Sequence, residues 1–490
     1  MENDFILVLD FGGTQAQSMA RKLRGQNYYC EIHACSISVE TVRRKAPKGI
    51  LLAGGPGNIP FDEEILHLDI PVLAMGYCAH RMASSFGAVS EGALLTDRAS
   101  QITFLPCPLF DGLGETDRYF TRIDALKLPE GFEPVATTIE GLIPAFADVK
   151  KRLYGLQFYA ESNDPDGARI LANFAGSVCG CGAYWSPEVY IEREVEYLRE
   201  KIGNGKAIMA ISGGVDSTVC AMLMRRAIGD RLKCVFVDTG LMRKGEVETV
   251  VHTFRDQLDL ELVIADSRER VLKAIEGITD PNEKRSRIND VFIRTMQEEA
   301  AAYEGAEYLV EGTIYSDLLS DTPPLSDFAQ RLAPLKHIEP IRMLFKEEVR
   351  YVGETLGVPR ELLSQQPFPG CGLAVRCIGE VTAEKLYLLR EADAIFRSEI
   401  VEAGLDRRLN QYFAILTDVM TLGVRDGRPC TERVCVLRAV SSSDASGITI
   451  AKLPYDLIER AVQRITSQIP GINHVVYDVT GKPAALAEWE

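Results

Sequence analysis

Ala207-Ile208-Met209-Ala210-Ile211 runs directly into Ser212-Gly213-Gly214-Val215-Asp216-Ser217-Thr218, and this junction decides how the chain folds. The apolar run predicts a buried strand, and Val219–Ala227 continue in a helical pattern. Two adjacent glycines let the backbone turn tightly and aim its N–H groups inward. The start of the following helix adds a partial positive charge. Ser212, Ser217 and Thr218 offer hydroxyls to a phosphate. Asp216 would repel a phosphate on its own, so it reads as a ligand of a bridging Mg²⁺. The bland alternative is a plain strand-to-helix turn, but S-G-G-x-D-S after a strand is far more specific than a lone G-x-G-x-x-G.

Working outward, further strands are predicted at Lys233–Val237, Leu260–Ala265 and Tyr308–Glu311, with amphipathic helices between them. That alternation is the pattern of a doubly wound α/β sheet. The Pro/Gly-rich segment Gln366–Gly372 closes the block. Upstream, Phe5–Asp10, Gly49–Ala53 and Pro71–Met75 read as buried parallel strands of a first α/β domain, each ending where such sheets place ligands. Gly176–Tyr184, rich in glycine and cysteine, reads as a linker. Downstream, helices mix with strands such as Arg433–Val440 and His474–Tyr477, which predicts a small α+β domain. The expected layout is therefore residues 1–178, 185–375 and 376–490: two doubly wound α/β domains plus a small α+β domain.

Composition sets the outer limits. A chain of 490 residues is too long for one core. Hydrophobic residues at 46% and charged residues at 25% fit an ordinary globular protein. The net charge of −16 argues against a non-specific nucleic-acid binder. No signal peptide is visible and no apolar stretch approaches the roughly 20 residues of a membrane span. The expected location is the cytoplasm, with no membrane or nucleic-acid partner. The twelve cysteines are then mostly small core residues, the close pair Cys179 and Cys181 included.

The loop resembles the PP-loop of N-type ATP pyrophosphatases. The stretch Val235–Glu246, with Asp238-Thr239-Gly240-Leu241-Met242-Arg243, is similar to the next strand and loop of the GMP synthetase family. The resemblance extends over nearly the whole chain. It takes in Asp280–Arg285, Glu311–Asp317, Pro367–Arg376, Leu453–Asp456, and Lys482-Pro483 through Glu488-Trp489-Glu490. It implies a class I glutamine amidotransferase-like domain, an ATP pyrophosphatase domain and a C-terminal dimerisation domain, hence a homodimer. It also implies that ATP, with Mg²⁺ at Asp216, adenylates a purine nucleotide carbonyl (xanthosine monophosphate in the family), and that ammonia then displaces AMP. The implied ATP-binding residues are Ser212, Gly213, Gly214, Val215, Asp216, Ser217, Thr218 and Val237. The implied acceptor-binding residues are Arg285, Asp317, Arg376, Gln411, Lys482 and Glu488.

The amidotransferase-like domain departs from that family. Gly76–Met82 is similar to the family's G-x-C-x-G-x-Q, which sets the nucleophile at Cys78 with His80 in a glycine position and Met82 in a glutamine position. Gly155–Glu161 is similar to G-V-Q-F-H-P-E. Glu161 is kept, but Tyr159 stands at the histidine position. A tyrosine with a pKa of about 10 is a poor base at neutral pH. Either His80 substitutes as base or the domain is an inactive glutaminase, and the residues favour the second. Glutamine is accordingly a doubtful ammonia source, while Gly54-Gly55-Pro56-Gly57 still resembles the oxyanion-strand loop.

The acceptor side departs too. The family's basic I-K-S-H-H-N segment has no counterpart after Asp317, and Lys336 and His337 read as ordinary loop residues. Gly370-Cys371-Gly372-Leu373 with Arg376 is similar to G-P-G-L-x-x-R, with Cys371 in place of proline. Lys482 would neutralise a phosphate as a point charge. The leading expectation is a GMP synthetase-like carbon–nitrogen ligase with weak or absent glutaminase activity. An adenylating amidase on another carbonyl and a non-catalytic nucleotide-binding paralogue are the alternatives. The intact loop, with its Asp216, argues against the last.

Overall fold

The computed structural model describes residues 4–55, 59–160, 165–319, 326–332, 334–443, 447–481 and 488–490. The chain divides into two compact units, Met1–Tyr190 and Ile191–Glu490.

The first unit is built on a nine-stranded sheet. Its parallel part runs Cys30–Ala34, Ile6–Asp10, Gly49–Ala53, Val72–Met75 and Leu153–Leu156. Apart from the edge strand Cys30–Ala34, which alternates polar and apolar residues, these segments are near-continuous apolar runs because both faces are covered. Leu7, Leu9, Ile50, Leu52, Val72 and Ala74 share one core cluster, while the alternate Ile6, Val8, Leu51 and Leu73 are equally buried. The sheet then continues antiparallel through Ala145–Asp148, Glu133–Thr138, Val89–Phe104 and Thr116–Lys127. The stretch expected as a linker packs onto this unit instead. Gly180 O accepts from Lys48 Nζ (2.7 Å), and Trp185 stacks on Tyr29 with ring centroids 5.2 Å apart.

The second unit contains a parallel five-stranded sheet ordered Leu262–Asp266, Leu232–Asp238, Lys206–Ala210, Ala306–Val310 and Lys336–Ile338. Strand order reverses at Lys206–Ala210, and ligands in doubly wound sheets bind beyond the carboxyl end of the strands at such a reversal. The loop after Ala210 sits at that point. The rest of the unit carries a long hairpin, Gln411–Arg425 and Arg428–Ser443. Gly447–Ile450 adds to it antiparallel and Ile472–Tyr477 parallel, and helices Ala383–Glu402 and Tyr455–Gln468 accompany the sheet. Leu241, Val271 and Ile288 share a core cluster with Leu389, Phe396 and Leu437. The change from one sheet to the other near residue 376 therefore involves no break in the core.

No helix among the described residues is long and apolar enough to cross a membrane. All twelve cysteines are free thiols.

Candidate active site

The strand Lys206–Ala210 delivers the chain to a loop that braces itself. Gly213 takes φ +80, and a Cβ there would lie 2.5 Å from Val250 Cγ2, so glycine is required on both counts. Ser212 Oγ accepts from Gly214 N (3.2 Å) and lies 3.0 Å from Ser217 Oγ. Ser217 Oγ and Thr218 Oγ1 donate to Gly214 O at 3.1 and 2.8 Å. Ser217 and Thr218 are both buried behind the loop. Their hydroxyls bond back to the backbone, as serine and threonine in a helix commonly do. This differs from their expected role as phosphate donors. Of the loop, Ser212 to Asp216 face the cleft.

That cleft has a volume of about 540 Å³. Ile211, Phe236, Val237 and Phe292 give it an apolar side, and the segment Gln366–Gly370 lines it as well. Over the loop stands Lys346, at the start of helix Lys346–Leu356, with Nζ 2.6 and 2.8 Å from the two carboxylate oxygens of Asp216. Sequence reading missed Lys346, since nothing in Phe345-Lys346-Glu347 marks the lysine as facing a loop 130 residues upstream. It also missed Arg243, which lies in the cleft wall with its guanidinium over the Phe368 ring, 4.5 Å from the centroid.

Among the described residues, none of the expected acceptor residues lines this cleft. Arg376 is fully buried and forms a two-pronged ion pair with Glu488 at 2.7 and 2.8 Å, beneath the face of Phe413. Gln411 Nε2 reaches Pro367 O, a wall residue, at 3.5 Å. Arg285 is exposed and bonds Asn282 (3.0 Å), while Asp317 accepts from Ile314 N (3.0 Å). Neither Arg285 nor Asp317 lines the cleft. Lys482 lies outside the described residues. Lys284, just before Arg285, is fully buried and donates to Glu490 Oε2 (2.5 Å).

In the first unit the structure corrects the position of the nucleophile turn. Strand Val72–Met75 passes to helix Tyr77–Ser85 through Gly76, whose φ of 54° and ψ of −124° make the sharp strand-to-helix turn. A catalytic nucleophile of this type is presented on that strained turn, and the residue there has no side chain. Cys78 lies two positions on, inside the helix and fully buried, with Sγ 3.9 Å from Gly54 O. Burial pushes its thiol far above the ordinary range, and Cys35 adds to the effect. Tyr159 faces Gly76, not Cys78. A Cβ on Gly76 would lie 2.1 Å from the Tyr159 ring. The phenol hydroxyl donates to Gly54 O (3.1 Å) and accepts from Tyr77 N (3.4 Å).

His80 does not replace the base. Residues two apart leave a helix about 200° apart, so His80 and Cys78 face different ways. His80 Nδ1 lies 3.7 Å from Asp124 Oδ2. Burial lowers the His80 pKa, partly opposed by Asp124. Glu161, the remaining expected member of the triad, lies outside the described residues, as do Pro56 and Gly57.

Comparison with known proteins supplies the family context. The model of class-I glutamine amidotransferases matches residues 7–177, that of the phosphoadenosine phosphosulfate reductase domain residues 206–312, and that of the GMP synthase C-terminal domain residues 398–489. The chain is 40% identical to a glutamine-hydrolysing GMP synthase of Acetivibrio thermocellus, and 40% and 41% identical to those of Caldicellulosiruptor saccharolyticus and Caldanaerobacter subterraneus. Each alignment covers 100% of both proteins.

Proposed function

The chain belongs to the glutamine-hydrolysing GMP synthase family, and from that premise we propose that its second unit adenylates xanthosine monophosphate with ATP and aminates the product to GMP. The observation that carries this reading is the shared cleft. The loop Ser212–Asp216 and the segment Gln366–Gly370 line one cavity, so an ATP held by the first meets an acceptor held against the second.

The chemistry needs such a site. A purine carbonyl oxygen is a poor leaving group, whereas AMP is a good one. The C2 oxygen attacks the α-phosphorus of ATP, forming an O–P bond as pyrophosphate leaves. Ammonia then attacks C2, loses a proton, and expels AMP carrying the former carbonyl oxygen. The loop and the start of helix Val215–Ile228 offer partial positive charge to phosphate oxygens, and the apolar side at Val237 and Phe292 suits a purine ring. An enclosing cleft also keeps water from the adenylate.

Mg²⁺ fits the donor set. Asp216 is the loop's cleft-facing carboxylate, and Mg²⁺ is commonly held by one or two carboxylates plus substrate phosphates. Both carboxylate oxygens of Asp216 accept from the Lys346 ammonium, which Mg²⁺ would displace. When bound there, the ion would neutralise charge on the phosphate chain.

The ammonia is free ammonia. Gly76 puts no nucleophile on the turn, and Tyr159 fills the space a nucleophile would need. The subunit pairs as a homodimer through the hairpin Gln411–Arg425/Arg428–Ser443, a reading supported by exposed Val419, Leu422 and Val424. The test is incubation with Mg-ATP and xanthosine monophosphate, supplying either ammonium or glutamine. GMP and pyrophosphate with ammonium alone are expected. Absence of both products would sink the ligase reading, and equal turnover with glutamine would sink the claim about the ammonia source.

A further inference from the structure

Arg243 is 6% exposed, yet neither Nε nor Nη2 has a hydrogen-bond partner. Its nearest carboxylate, Asp393, forms an ion pair with it but no hydrogen bond. Asp393 Oδ2 lies 3.6 Å from Arg243 Nε, beyond hydrogen-bond reach, and its other oxygen accepts from Ala414 N (3.1 Å). Glu246 accepts from the backbone N–H of Arg243 (3.1 Å), not from its guanidinium. Glu488 is bound two-pronged by Arg376.

Near Arg243, Arg397 Nε and Arg376 Nη1 also lack a hydrogen-bond partner. Arg397 and Arg376 lie close enough to Arg243 to repel its charge. Burial is the main force lowering the Arg243 pKa, to about 10, which still leaves it charged at neutral pH.

A buried, charged donor without an acceptor is costly. The stack on Phe368 holds the guanidinium plane in the wall of the cleft that carries the Ser212–Asp216 loop. Two free donors on one planar fork match the spacing of two phosphate oxygens. An anionic group entering the cleft would satisfy both donors. We propose that Arg243 is a phosphoryl-binding residue of the cleft, donating from Nε and Nη2 to a phosphate group of a bound nucleotide. This rests on reading the cleft as the ligase site. ATP and the acceptor nucleotide both carry the required group, and Arg397, lining the same wall, reinforces the attraction.

The experiment is equilibrium titration of the full-length protein with Mg-ATP and, separately, with xanthosine monophosphate. The wild type is compared with Arg243→Met and Arg243→Lys, and adenosine and xanthosine serve as phosphate-free controls. Arg243→Met is expected to weaken one of the two nucleotides by about tenfold or more, leaving the other nucleotide and both nucleosides unchanged. Arg243→Lys, which keeps charge but loses the fork, should weaken the same nucleotide by less. The nucleotide affected identifies the source of the phosphate. Unchanged binding of both nucleotides to the variants overturns the proposal, as does equal weakening of nucleotide and nucleoside. Should Arg243→Met fail to fold, Arg243→Lys carries the same comparison. If the wild type does not aminate xanthosine monophosphate, the ligase reading falls separately, and the ATP titration still decides Arg243.

Discussion

Lys346 Nζ spans the two carboxylate oxygens of Asp216 at 2.6 and 2.8 Å, joining the start of helix Lys346–Leu356 to the loop after strand Lys206–Ala210. The pair is partly exposed, with side chains 39% and 29% accessible. Its contribution to folding is therefore small, as for other solvated ion pairs. Its value lies in placing a positive charge where phosphates arrive.

Lys346→Met should accordingly leave the melting temperature nearly unchanged and reduce kcat/KM for ATP by an order of magnitude or more, on the order of tenfold. Pyrophosphate release at varied ATP measures this, and Lys346→Arg should recover part of the loss. A large drop in stability with unchanged kinetics would assign the lysine to the fold instead.

Cys78→Ala should change neither ammonium-dependent nor glutamine-dependent turnover, because the thiol is buried inside helix Tyr77–Ser85 and the turn belongs to Gly76. Glutamate release from glutamine is the direct readout. A glutaminase rate in the wild type that disappears in Cys78→Ala would restore that cysteine to catalysis.

If the hairpin carries the proposed dimer contact, Leu422→Glu should yield a monomer where the wild type gives a dimer in multi-angle light scattering. Leu422 is 82% exposed on the hairpin, with Val424 at 73%, and a charge at position 422 is costly only if a second copy covers that surface. An unchanged mass would place the interface elsewhere.

Glu194 gives a pH signature. Burial pushes its carboxyl up to about 8, with Lys201 opposing. The unfolded chain gives up this proton near the ordinary value of about 4.3, whereas the folded chain keeps it. Folding thus takes up a proton between those limits, and stability falls as pH rises from about 4.3 to about 8. Glu194→Gln should remove that fall, so urea midpoints of wild type and variant should diverge most above pH 8, the variant being more stable. Parallel pH profiles would contradict it.

The apolar runs were legible because parallel strands buried on both faces leave no polar alternation to misread. Ile6–Asp10, Val72–Met75 and Lys206–Ala210 fall where hydrophobicity places them. The antiparallel half of the first sheet was not legible. Thr116–Lys127 mixes Asp117, Arg118, Arg122 and Asp124 with its apolar residues, so its pattern resembles a solvated loop. The long hairpin did leave a signal in Asp426-Gly427, both at positive φ and joining Arg425 to Arg428, the preferred chemistry of a two-residue turn.

The nucleophile turn is hidden in the sequence because Cys78 lies near it, while strand Val72–Met75 turns immediately, at Gly76, before the helix begins. Lys346 and Arg243 act through contacts with residues more than a hundred positions away in sequence, at Asp216 and Phe368, and no local pattern encodes such a meeting.

The central claim is that the cleft activates a carbonyl oxygen by transfer of AMP. Xanthosine monophosphate labelled with ¹⁸O at C2 tests it directly, with the products of an ammonium-supported reaction read by mass spectrometry. The account predicts the label in the phosphate of AMP and none in pyrophosphate. Unlabelled AMP, with the label in water or pyrophosphate instead, would contradict it.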